Sequence, residues 1–158
     1  MFLLKRLIES GRKNFRVDIF ERGDKLGSGM PYSRQGAGDE HVTNVSANEI
    51  PLLVHPVAEW LNTVNADTLS RFNISAERFN DYKVLPRLLF GNYLSDQFSA
   101  IIKQGLDLGI KINIRLNSMV TDIADQPDAD QVVVHTNKGK AYSYDRVVVC
   151  TGHHWPSG

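Results

Sequence analysis

The stretch Phe15-Arg-Val-Asp-Ile-Phe-Glu21 does most to constrain what this chain can fold into. Phe15, Val17 and Ile19 alternate with Arg16 and Asp18 in a short run rich in aromatic and β-branched residues, which predicts a strand rather than a helix. The strand ends in the carboxylate of Glu21. A carboxylate at such an end offers acceptors only, the complement of the two hydroxyl donors on a ribose edge. Taken alone, Glu21 is a solvated strand end, since acidic residues far more commonly face water than hold a ligand; its surroundings raise the ligand reading.

The remaining elements arrange themselves around that strand. Phe2, Leu3, Leu7 and Ile8 have helical spacing with Gly11 as a stop, so an amphipathic helix leads directly into it. After Glu21 comes a polar loop in which Gly23, Gly27 and Gly29 permit close backbone approach or positive φ. Residues 42–51 show no periodicity. Pro56 opens a helix with Val57, Trp60, Leu61 and Val64 on one face, and Pro86 opens a longer one carrying Leu88, Leu89, Phe90, Tyr93, Leu94, Phe98, Ile101, Ile102 and Leu106, closed by Gly109. Ile110 to Arg115 alternates as a strand at once afterwards, a second α/β step. Ser118–Ala124, Gln131–Thr136 and Ala141–Ser143 predict a three-stranded antiparallel meander over about 118–143, with Asn137-Lys-Gly139 as a tight turn. Arg146-Val-Val-Val-Cys150 is a continuous apolar run, expected of a parallel strand buried on both faces, and it leads into Thr151-Gly-His-His-Trp-Pro156.

The totals bound the function. With 158 residues the chain suits one domain, 1–158, and its 18 basic residues balance 18 acidic ones, so no footprint for nucleic acid or an anionic membrane is present. Apolar runs of a few residues do not span a bilayer, and the charges of Lys5 and Arg6 fall inside the first apolar stretch, unlike a secretory signal. The single Cys150 excludes an intrachain disulfide and fits a reducing compartment, so a cytoplasmic location is expected. No histidine, cysteine or carboxylate spacing completes a metal set: His153 and His154 are adjacent, and His41, His55 and His135 are scattered. No side chain stands out as a catalytic acid, base or nucleophile.

The acidic strand end, Gly27-Ser-Gly-Met-Pro-Tyr32, Asn44-Val-Ser-Ala-Asn-Glu-Ile-Pro51, Pro86-Arg-x-Leu-x-Gly-x-Tyr-Leu94 and Val147-Val-x-Cys-Thr-Gly-His153 occur in one order that resembles the FAD-NAD(P)-binding protein family of two-dinucleotide flavoprotein oxidoreductases. The resemblance runs from about Met1 to Pro156. It implies an α/β fold, a partial Rossmann-like FAD-binding domain of the glutathione-reductase type, with the meander as crossover between two parallel strands. It implies FAD as cofactor, with NAD(P) bound elsewhere in the full-length family. It assigns Glu21 to the adenosine ribose, Gly27, Gly29, Pro31, Tyr32 and Asn44 to the flavin side, the Val120 backbone to the adenine, and Thr151, Gly152 and His153 to the neighbourhood of the nucleotide; Arg87, Gly91 and Tyr93 fall in a motif at a helix start.

The family opens with a strand and a Gly-x-Gly-x-x-Gly turn that this sequence lacks, and continues into an NAD(P)-binding region beyond its end. The chain is therefore expected to be a fragment. Backbone N–H groups of that turn cradle the pyrophosphate, so their absence argues against tight FAD binding by the chain alone. The missing strand would lie between the Phe15 and Arg146 strands, and its loss predicts direct pairing of those two, filling of the gap by another chain, or a loose, open edge liable to homo-oligomerise. A second reading is a non-catalytic interaction protein derived from such a domain. A third, in which Gly27-Ser-Gly29 is the phosphate loop of a different α/β nucleotide binder, is weaker, because no convincing helix follows it.

Overall fold

A computed structural model describes residues 1–152; the expectations for His153, His154 and Trp155 lie outside the described residues. The fold mixes α-helices with several small sheets and divides into two compact units, Met1–Phe15 with Gly27–Ile110, and Arg16–Leu26 with the residues from Lys111 onward.

In the first unit, α1 (Phe2–Glu9) buries Leu4 and Ile8, one turn apart, against the long helix α4 (Arg87–Asp107). Helix α4 buries Leu88, Leu89, Phe90, Tyr93, Phe98, Ile101 and Ile102, the apolar periodicity of the sequence, whereas Leu106 is exposed. It stops at Gly109, whose φ of +81° is the left-handed conformation that closes helices, with the Ile110 amide donating back to Gly105 O at 3.0 Å. Helix α2 (Val57–Leu61) follows Pro56 and buries Val57, Trp60 and Leu61. It ends before Val64 because the Thr63 hydroxyl donates to Trp60 O at 2.7 Å and the Thr63 and Val64 amides settle into tighter turns.

Three elements of this unit, α3, β2 and β3, escape a reading by periodicity. Helix α3 (Ala66–Arg71) is only six residues long and buries none of them, but Asn65 caps it, its side chain accepting from Thr68 N at 2.8 Å. Strand β2 (Val42–Ser46) pairs antiparallel with β3 (Val84–Pro86) across a bulge. Buried Thr43 holds the two together: its hydroxyl accepts from Leu85 N at 3.0 Å and donates to Val45 O at 2.7 Å.

The second unit carries the acidic strand. β1 (Arg16–Phe20) lies parallel to β4 (Lys111–Arg115), in register from Arg16 opposite Lys111 to Phe20 opposite Arg115. β5 (Val120–Gln126), β6 (Gln131–Thr136) and β7 (Ala141–Tyr144) form a three-stranded antiparallel sheet, with Gly139 at φ +67° in the β6–β7 turn. Beyond β7 the expectation fails. Residues 146–150 form no strand and pair with nothing in a sheet among the described residues; Val148 and Val149 are each 63% exposed. A run apolar on both faces becomes a buried strand only if an edge accepts its backbone groups, and it is not bonded to β1, whose one sheet neighbour among the described residues is β4.

Candidate functional site

The acidic strand end is firmly built. Glu21 continues the β1–β4 ladder, donating its amide to Arg115 O at 3.0 Å and accepting from Ser118 N at 2.9 Å. Its side chain folds over the next turn, where Oε1 accepts from Gly23 N at 2.8 Å, and Gly23 O in turn accepts from Asn117 N at 2.8 Å. One bond leaves most of the carboxylate's acceptor capacity for a polyol donor pair. Among the described residues, the Gly23 N–H is the partner that orients the carboxylate.

In the middle of the same ladder, opposite Asn113, Asp18 organises a cluster that the sequence did not single out. Its side chain is only 1% exposed and accepts from Asn113 Nδ2 at 2.7 Å, Arg115 Nη2 at 2.8 Å and the Tyr144 hydroxyl at 2.8 Å. Burial by itself would raise the Asp18 pKa, but the bonds from Asn113, Arg115 and Tyr144 together with the Arg115 charge outweigh it and hold the carboxyl below its ordinary range. The Arg115 guanidinium also stacks on the Tyr142 ring, 4.1 Å from its centroid, and burial followed by the bond to Asp18 pushes Tyr144 up to about 12. The signal was present as a charged residue in mid-strand, yet nothing in the sequence says which tyrosines cover it.

The glycine loop sits on α4. Gly27 has φ +95°, and a β-carbon on it would lie 2.8 Å from Leu94 O and 2.9 Å from Ser95 Cα. Gly29 has φ +61°, and Pro31 begins the tight turn Met30–Tyr32. The Tyr32 ring stands edge-on to Phe90 at 4.9 Å, and Gly91 lets α4 touch the Tyr32 carbonyl. These glycines therefore have a packing role in the fold, the helix and the loop meeting backbone to backbone.

Asn44 and Arg87, 43 residues apart, are brought together: Arg87 Nη2 donates to Asn44 Oδ1 at 3.2 Å and Nε to Val42 O at 2.9 Å, while the Arg87 amide donates to His41 O at 2.8 Å. The guanidinium thus closes the β2 end over the start of α4. Nearly three helical turns further along α4, buried Gln97 accepts from Val54 N and His55 N at 2.9 and 2.7 Å, and the Tyr93 hydroxyl donates to His55 O at 2.8 Å. Burial pushes Tyr93 up to about 12.

Val120 opens β5 opposite Thr136, and Thr151 and Gly152, the latter at φ +69°, are exposed. His153 lies outside the described residues. Among the described residues no three His, Cys, Asp or Glu side chains gather as a metal site.

Comparison with known proteins decides the ancestry of this arrangement. The sequence profile of the FAD-NAD(P)-binding family matches residues 1–154. The chain belongs to that family. It is also similar to the uncharacterized protein YdhS of Escherichia coli (strain K12), with 32% identity over 141 residues, 89% of this chain and 26% of that protein. The chain thus spans about a quarter of the length of that curated relative.

Proposed function

We propose that this chain is part of the FAD-binding region of a flavin-dependent oxidoreductase, of the glutathione-reductase type, whose whole protein would pass hydride from NAD(P)H to FAD and onward. In such enzymes the cofactor carries the chemistry and the protein binds and orients it. The observation that carries the reading is Glu21, fixed by backbone bonds at the C-terminal end of a parallel strand, with Oε1 engaged by a single N–H. The carboxylate suits the adenosine ribose. Gly27, Gly29, Pro31, Tyr32, Asn44 and Arg87 would serve the flavin side, and Val120, Thr151, Gly152 and His153 the nucleotide.

The fit is one-sided. No glycine-rich turn stands at an α-helix N-terminus among the described residues: α2 and α4 begin after Pro56 and Pro86, α3 after Asn65. The donor array for a pyrophosphate is not found among the described residues, which would therefore serve the adenosine and not the phosphates. Weak binding governed by the adenosine end is the expected behaviour. Purified protein titrated with FAD, and separately with AMP, tests this by absorption and calorimetry. Binding of both with similar weak affinity, lost on Glu21→Ala, supports the reading, and indifference to both removes it.

A second reading, a domain acting through protein contacts without cofactor chemistry, draws support from the exposed Val148 and Val149. No described helix is long and apolar enough to cross a membrane.

A further inference from the structure

We propose that the turn from Gly38 to His41 is a pH-operated latch: the neutral His41 imidazole holds it shut, and the protonated ring opens it by changing partner from the Gly38 amide to the Glu40 carboxylate. The turn stands just before β2. His41 Nδ1 accepts from Gly38 N at 2.8 Å, and the His41 amide reaches back to Gly38 O at 3.4 Å, so the two residues close the turn from both sides. Nδ1 accepts an N–H only while it keeps its lone pair. The ring proton of the neutral form is therefore on Nε2.

The second partner is already in place. Glu40 Oε1 lies 3.5 Å from the same Nδ1, and its carboxylate folds back over Gly38, where a β-carbon would lie 2.7 Å from Oε1. Protonation puts a hydrogen on Nδ1, so two N–H donors face each other across 2.8 Å while the carboxylate is the acceptor within reach. An imidazole changes charge between about pH 5 and 8, so the latch is shut above that window and open below it. What it holds is Asp39, inside the turn, which accepts from Arg34 Nη2 at 2.8 Å and from Arg71 Nη2 at 3.0 Å and so ties the turn to the end of α3. The charged groups around the turn are Asp39 and Glu40 within it, Arg34 before it, Arg71 from α3 and Arg87 from the start of α4. Glu40 is the one whose charge meets the ring nitrogen. The Arg87 amide donates to the backbone oxygen of His41 at 2.8 Å, a bond indifferent to the charge on the ring, so the change stays within the turn.

Nitrogen-15 NMR of the full chain, titrated from pH 8 to pH 5, tests the latch. At pH 8 the His41 ring should carry its proton on Nε2 and show a coupling to the Gly38 N–H; on acidification that coupling should vanish, and the Gly38 amide and the Arg71 side-chain N–H should shift with the midpoint of the ring. Glu40→Gln should leave the turn shut at pH 8 and lower the proton affinity of the ring about two- to fivefold, the range of an exposed ion pair. His41→Leu removes the acceptor at every pH, so the Gly38 amide should cease to follow pH, and trypsin at pH 8 should cut after Arg34 several-fold faster than in the unaltered chain. A neutral ring protonated on Nδ1, a Gly38 amide that does not follow the ring, or a ring affinity unmoved by Glu40→Gln would each overturn the proposal.

Discussion

A β-carbon on Gly91 would lie 1.9 Å from the carbonyl oxygen of Tyr32. Helix α4 and the loop ending at Tyr32 therefore meet with no side chain between them. In an isolated helix Gly→Ala stabilises by about 1 kcal/mol, but overpacking against a backbone oxygen costs about 1–3 kcal/mol or more. Gly91→Ala should lower stability by about 2 kcal/mol net or prevent folding, read from urea denaturation, and Gly91→Ser should be no better.

Asp18 is the shared acceptor of Asn113, Arg115 and Tyr144. Removing one partner of a buried ion pair costs about 3–5 kcal/mol, less here because the Arg115 side chain is 30% exposed and reaches solvent. Asp18→Ala should cost about 2–3 kcal/mol, and Asp18→Asn less, since it keeps one acceptor.

The same carboxylate sets the acid limit. Its folded pKa lies below its unfolded value of about 3.9, so the unfolded chain binds more protons as pH falls and the contribution of Asp18, full above that value, is lost below it. Unfolding followed from pH 5 to 2 should show a loss of stability that Asp18→Asn flattens.

Alkali acts on the tyrosines with the opposite sign. Tyr93 and Tyr144 are pushed up to about 12 from an unfolded 10.0, so the stability they contribute is intact below pH 10 and lost as pH rises from 10 through 12. Tyr93→Phe should lessen that loss while costing about 1 kcal/mol at neutral pH for the bond to His55 O. Tyrosinate absorbance against pH checks it.

Gln97 accepts from two backbone amides with one oxygen. Gln97→Met fills the same space and strands both donors, at about 1–3 kcal/mol each when they remain buried. The measured loss should exceed that of Asn62→Ala, an exposed amide on α2's end, several-fold.

Much of the fold was legible in the sequence because it is local. The alternation of Phe15 to Ile19, the apolar periodicity after Pro86 and the turn at Gly139 each fix their element through neighbours a few residues away. Elements held by remote partners were not legible. β2 is a strand because Thr43 meets Leu85, and α3 exists on the strength of an asparagine cap. In the candidate site, Glu21 was readable as a strand-end acid, while the contact of Arg87 with Asn44 and the cluster around Asp18 needed the fold.

Elements whose side-chain period and end signals agree, and the carboxylate at the close of β1, follow from the residues without any contact between distant segments. The fate of Arg146 to Cys150 does not. Its composition says buried strand, but a strand is made by hydrogen bonds to a neighbour, and the side chains of a run carry no information on whether that neighbour is there.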